Sequence, residues 1–132
     1  MEDTGKQKAT ILIVDDDVNA RISLAGIFLY ADFQVFTAAN QQEAIAVLNN
    51  QTIDLVFLDI NLAGENGLKL LSFMRTYHPQ TAVIILTAYV SHELQQKAFQ
   101  NGAQDFIIKP AEPTQLIQSA QAYRPAQPRP QN

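Results

Sequence analysis

Thr10-Ile11-Leu12-Ile13-Val14-Asp15-Asp16-Asp17 sets five residues that favour a pleated, buried strand directly against three aspartates. A run this short and this apolar reads as a strand buried on both faces, and the acids mark the turn where it ends. The same grammar recurs at Phe33 to Thr37, Ile53 to Leu58, Ala82 to Leu86 and Phe106 to Ile108. Between these runs lie segments with helical spacing. They are Val18, Ile22, Ala25 and Leu29; Ala44, Ile45 and Leu48; Leu68, Leu71 and Met74; Val90, Leu94 and Ala98; and finally Leu116, Ile117, Ala120 and Tyr123. Each set predicts an amphipathic helix with that stripe buried. Asn40 with Glu43 resembles a capping box, Gly102 follows the fourth helix, and Pro113 suits the first turn of the fifth. Strands alternating with helices predict an α/β fold, a parallel sheet covered on both faces, with the second and fifth runs at its edges.

Composition narrows the function. The 132 residues suit one domain, and 47% hydrophobic against 17% charged residues exclude wholesale disorder. Nine Lys and Arg against thirteen Asp and Glu give a formal charge of -4, which argues against direct nucleic-acid or anionic-membrane binding as the main activity. The absence of cysteine excludes disulfide scaffolds, thiolate metal sites and cysteine nucleophiles. The polar segment Met1 to Ala9 fits no signal peptide, and the uncharged stretch Ile22 to Ala31 falls short of the roughly 20 residues of a membrane span. A soluble, cytoplasmic domain is expected over residues 9–122, with a flexible N-terminus at 1–8. Pro125, Pro128 and Pro130 make 123–132 a Pro-rich tail or linker.

In an open parallel sheet, ligands bind outside the carboxyl ends of the strands. The first run ends in Asp15-Asp16-Asp17, the third in Asp59, the fourth in Thr87 and the fifth in Lys109. Carboxylates brought together repel unless a cation intervenes, and Mg²⁺ takes a few such oxygens while keeping water sites free for a phosphoryl group. Taken singly, each residue has a plainer role: the aspartates as a helix cap, Thr87 as a strand residue, Lys109 as a surface charge. Asp59 resists such a reading, because it directly follows Leu55-Val56-Phe57-Leu58, where an unpaired carboxylate is costly.

Together, Ile11-Leu-Ile-Val-Asp-Asp-Asp17, Leu55-Val-Phe-Leu-Asp59, Ile85-Leu-Thr-Ala88 and Phe106-Ile-Ile-Lys-Pro110 resemble the receiver domain of two-component response regulators, over about Ala9 to Ala122. That resemblance implies a flavodoxin-like (βα)5 doubly wound sheet of strand order 2-1-3-4-5. It implies Asp59 as phosphoryl acceptor from a sensor histidine kinase or histidine phosphotransfer protein. Asp15 and Asp16 would hold Mg²⁺ together with Asp59 and the carbonyl of Asn61. Thr87 would be the switch hydroxyl, assisted by the Ala88 N–H, Lys109 would pair with the phosphate, and Phe106 would be a switch aromatic that turns inward on activation. The implied output is the surface of the fourth helix, fifth strand and fifth helix, open to a second copy or an output domain. Such a domain is a signalling module, not an enzyme, that catalyses only its own phosphorylation and dephosphorylation. The resemblance further implies a cis peptide between Lys109 and Pro110, and water access to the phosphorus past Asn61 and Tyr89.

Ala63 stands where the family usually carries proline, which points to a more mobile loop over Asn61 to Gly67, and Ala111 stands where a bulky apolar residue is common. Asp17 is expected to cap the first helix, and His78 and His92 to lie on the surface. Two rival functions remain. An aspartyl-phosphate phosphatase would want a second carboxylate at Asn61, and a degenerate receiver acting only as an interaction module would not need the intact acid pair, acceptor, threonine and lysine. Nucleotide binding lacks a glycine-rich phosphate motif.

Overall fold

The computed structural model describes residues 9–62, 64–89 and 91–123. The segments 1–8 and 124–132, with Ala63 and Val90, lie outside the described residues, so the expected flexible N-terminus, nearly all of the tail and the Val90 end of the fourth stripe do too.

Five parallel strands form the sheet: β1 (Thr10–Val14), β2 (Gln34–Ala38), β3 (Leu55–Leu58), β4 (Ala82–Thr87) and β5 (Asp105–Ile108). Their spatial order is β2-β1-β3-β4-β5, so the chain reverses its winding after β2 and leaves β2 and β5 at the edges. Five helices connect or follow them: α1 (Val18–Tyr30), α2 (Gln41–Asn50), α3 (Gly67–Tyr77), α4 (His92–Gln100) and α5 (Pro113–Gln121). This is the α/β, doubly wound flavodoxin-like order.

Alternating strand residues divide the core. Ile11, Ile13, Leu55, Phe57, Ile84 and Leu86 face one layer with residues of α1 and α5. Leu12, Val14, Val56, Leu58, Val83 and Ile85 face the other, with α2, α3 and α4. The central strands are thus apolar without alternation because both of their faces are covered. Asn40 caps α2 by accepting from the Glu43 N–H at 2.8 Å, while Glu43 reaches back to the Ala39 N–H. Pro113 opens α5, and Gly102, at φ +99°, ends the turn after α4.

Helix α1 departs from expectation. Val18, Ile22 and Leu29, read as its buried stripe, are 52%, 65% and 56% exposed, whereas Leu24 and Phe28 are buried. The helix is apolar nearly all round, and the larger ring decides its facing. Phe28 stacks on Phe57 with centroids 4.9 Å apart and meets Phe33 edge-on at 6.0 Å. His92 is exposed as expected, but His78 is half-buried, its ring beside Phe73 and 3.2 Å from the Asn49 amide oxygen. After β3 a small antiparallel ribbon, Asn61–Leu62 with Glu65–Asn66, interrupts what the sequence presents as a loop.

Candidate functional site

The sheet register brings the strand ends level: Val14 pairs with Leu58, Leu58 with Ile85, and Thr87 with Ile108. The next residues therefore emerge along one edge. Asp15 and Asp59 are buried and Asp16 is exposed, and each offers an oxygen that lies within 4.8 Å of the other two.

Lys109 enters this cluster from the far end of the chain. Its ammonium donates to Asp15 Oδ2 at 2.5 Å and to Asp59 Oδ2 at 3.2 Å. Burial pushes the Lys109 pKa down, but the hydrogen bond with Asp15 and the charges of Asp59 and Asp15 outweigh it, and the net shift is upward. The Lys109–Pro110 peptide is cis.

Backbone groups fix the acids. Asp15 Oδ1 accepts from the Asp17 N–H at 3.0 Å, and Asp59 Oδ1 accepts from the Asn61 N–H at 3.0 Å. Each carboxylate thus closes a short turn with one oxygen and presents the other to Lys109. Asp17 caps α1 through the Asn19 N–H at 3.1 Å.

Thr87, 1% exposed, accepts from the Tyr89 N–H at 3.2 Å, while Ala88 and Tyr89 are exposed. Phe106 is buried in the core, its centroid 6.5 Å from that of Phe99 on α4. A groove of about 440 Å³ opens beside Lys109 between α1 and α5, with Ala20, Leu24, Ile27 and Leu116 among its walls.

Two contributors were not singled out in the sequence. Arg21 donates from Nη1 to the Asp15 carbonyl at 2.7 Å, and its signal was being the one charged residue between Val18 and Ala31. Gly67 donates its N–H to the Ile60 carbonyl at 2.8 Å, and a Cβ there would stand 2.8 Å from Ile60 Cα and 2.9 Å from the Asp59 carbonyl oxygen. Only glycine lets α3 begin this close to the strand end that carries Asp59.

A doubly wound sheet with an acid cluster and a lysine at its carboxyl edge defines a class of phosphoryl-handling α/β domains. Residues 11–121 match the response regulator receiver domain family, and the chain belongs to it. It is 36% identical over 116 residues to the alginate biosynthesis transcriptional regulatory protein AlgB of Pseudomonas aeruginosa, covering 88% of this chain and 26% of that protein. It is 33% identical to sporulation initiation phosphotransferase F of Bacillus subtilis, covering 87% of this chain and 93% of that one. Among solved structures, a CheY-like receiver domain protein from Methanospirillum hungatei superposes with a TM-score of 0.84 at 30% identity, covering 88% and 93% of the two chains. The chain thus spans about a quarter of the AlgB relative and nearly all of the Bacillus protein. It is a phosphoacceptor receiver domain of the two-component type, and nothing in the site favours the phosphatase or the degenerate module. No helix among the described residues is long and apolar enough to cross a membrane.

Proposed function

We propose that Asp59 is the phosphoryl acceptor of a cytoplasmic receiver unit spanning residues 9–122, and that a sensor histidine kinase or histidine phosphotransfer protein is the donor. The observation that carries this reading is the meeting of Asp15, Asp16 and Asp59 oxygens within 4.8 Å, with the Lys109 ammonium between two of them. In the reaction an Asp59 oxygen forms a bond to phosphorus while the bond from phosphorus to the donor imidazole nitrogen breaks; that nitrogen keeps the electron pair, and the ring, protonated on its other nitrogen, leaves as neutral imidazole, with an acyl phosphate on Asp59. Lys109 offsets charge on the transferring group, and the Thr87 hydroxyl and Ala88 N–H donate to its oxygens.

Three carboxylates whose oxygens meet are hard, anionic donors, the chemistry of a divalent ion such as Mg²⁺, so Asp15, Asp16 and Asp59 would hold it, with the neutral Asn61 carbonyl as a further oxygen. Bound there, the ion supplies positive charge to the phosphoryl oxygens. The groove beside Lys109, with exposed Val18 and Ile22 on the α1 that walls it, offers the donor protein a surface one side chain from Asp59, through Lys109.

Drawing Thr87 toward the phosphoryl group disturbs β4 where it pairs with β5, and Phe106 lies on that strand. Its buried position against Phe99 is one state of an equilibrium that phosphorylation biases, changing the surface of α4, β5 and α5 for a second copy or an output module. The chain's own phosphorylation and dephosphorylation are the only reactions assigned to it.

Incubation with a small acyl phosphate, with and without Mg²⁺, tests the assignment. One hydroxylamine-labile phosphoryl group is expected on the native chain with Mg²⁺ and none on Asp59→Asn. Labelling that persists in Asp59→Asn overturns the acceptor, and labelling indifferent to chelator overturns the metal role.

A further inference from the structure

We infer that Arg21 is a positioning residue that fixes Asp16 for divalent-cation binding, a role that rests on the metal reading above. Among the described residues, the side chains of Asp15 and Asp17 are each held by hydrogen bonds. Asp15 takes the Asp17 N–H and the Lys109 ammonium, and Asp17 takes the Asn19 N–H. Asp16, between them, is exposed, and no hydrogen bond among the described residues holds its carboxylate. The two peptide planes that flank it therefore fix where its Cα–Cβ bond points and leave only rotation within the side chain free.

Both planes are pinned. The Asp16–Asp17 plane is held through the Asp17 N–H on Asp15 Oδ1 at 3.0 Å. The Asp15–Asp16 plane is held through its carbonyl, which accepts from Arg21 Nη1 at 2.7 Å. Arg21 is itself seated on α1, where its N–H donates to the Asp17 carbonyl at 3.0 Å, so side chain and backbone grip the same turn from one residue. Residues that orient a metal's ligands without touching the metal commonly change its affinity by about 10- to 100-fold when replaced.

The charge of Arg21 acts in the opposite sense. A guanidinium near a cation site repels the cation, so a residue acting only through charge would weaken Mg²⁺ binding, and its removal would tighten it. The geometry favours positioning, because the guanidinium's hydrogen bond goes to a carbonyl rather than to one of the acids it would otherwise neutralise. The two roles predict opposite signs.

Mg²⁺ affinity measured by calorimetry on the folded, unphosphorylated chain separates them. Arg21→Met is expected to weaken binding about tenfold, with the native circular dichroism retained. In an Asp16→Asn background, Arg21→Met should add little further loss, since the two residues act in series. Unchanged or tighter binding in Arg21→Met overturns the inference, as does a full additional loss in the Asp16→Asn background. If Arg21→Met does not fold, Arg21→Gln, which keeps a donor amide on a shorter side chain, carries the same comparison. Asp16→Asn alone keeps the two readings apart. If it leaves Mg²⁺ affinity intact, the metal reading fails; if it weakens affinity while the Arg21 variant does not, only the positioning role fails.

Discussion

Lys109 and Asp15, 94 positions apart in sequence, meet at 2.5 Å, and the same ammonium reaches Asp59 at 3.2 Å. The bridge closes the sheet edge by joining the end of β5 to those of β1 and β3. Asp15 and Asp59 side chains are 3% and 11% exposed, so without Lys109 two carboxylates are left facing each other with little solvent.

Lys109→Met should therefore lower stability in chelator at neutral pH by about 1 to 3 kcal/mol, read from urea midpoints. Because the Lys109 pKa is raised in the folded protein, the contribution is complete at pH values below its ordinary 10.5 and is lost as pH climbs through the raised value. Added Mg²⁺ should restore more stability to the variant than it adds to the native chain. Equal midpoints in chelator would show that the bridge contributes nothing.

Gly67→Ala sets two effects against each other. At this first residue of α3, alanine restricts the unfolded chain more than glycine, a gain of about 0.4 to 1 kcal/mol, but the new Cβ meets backbone atoms of Ile60 and Asp59 at 2.8 to 3.0 Å, which cannot rotate aside. The clash should win. A net loss of about 1 to 3 kcal/mol is expected, with slower phosphorylation as the acceptor strand end shifts. A variant as stable as the native chain would mean that α3 moves away freely.

Tyr89 is 63% exposed, two residues beyond Thr87. If its ring covers the water's approach to the phosphorus, Tyr89→Ala speeds loss of the phosphoryl group by up to about tenfold, equivalent to about 1.4 kcal/mol of barrier. Decay measured at one fixed Mg²⁺ concentration decides; equal rates exclude gating by the ring.

On α1, Ile22→Gln should change stability by no more than about 0.5 kcal/mol, whereas Leu24→Ala should cost about 2 to 5 kcal/mol. The reverse order in thermal melts would restore the facing expected from the sequence.

The sequence made the sheet and its chemical edge readable because both depend on local contrast. Leu55 to Leu58 ending in Asp59 announces a buried strand with a misplaced charge, and the runs ending in Asp15 and Lys109 repeat the pattern. Lys109 could be aligned with Asp59 because all the parallel strands end on the same side. What escaped depends on contacts whose partners carry no local contrast. Arg21 acts through a carbonyl, a group every residue carries. The ribbon at Asn61–Leu62 and Glu65–Asn66 is too short and polar for alternation to show. Gly67 is constrained by its closeness to Ile60, not by an unusual φ of its own.

The apolar girth of α1 has a consequence for how such a helix is oriented at all. With apolar side chains around most of its circumference, polarity does not fix its rotational phase, and a turn of about 100° per residue would trade one greasy face for another. The phase is set instead by bulk at one point and anchors at another: the stacked rings of Phe28 and Phe57 near one end, the Asp17 cap and the Arg21 clasp at the other. Trimming Phe28 to a smaller aliphatic residue would therefore loosen the angular setting of the helix and, through Arg21 about two helical turns away, the aim of the acid turn.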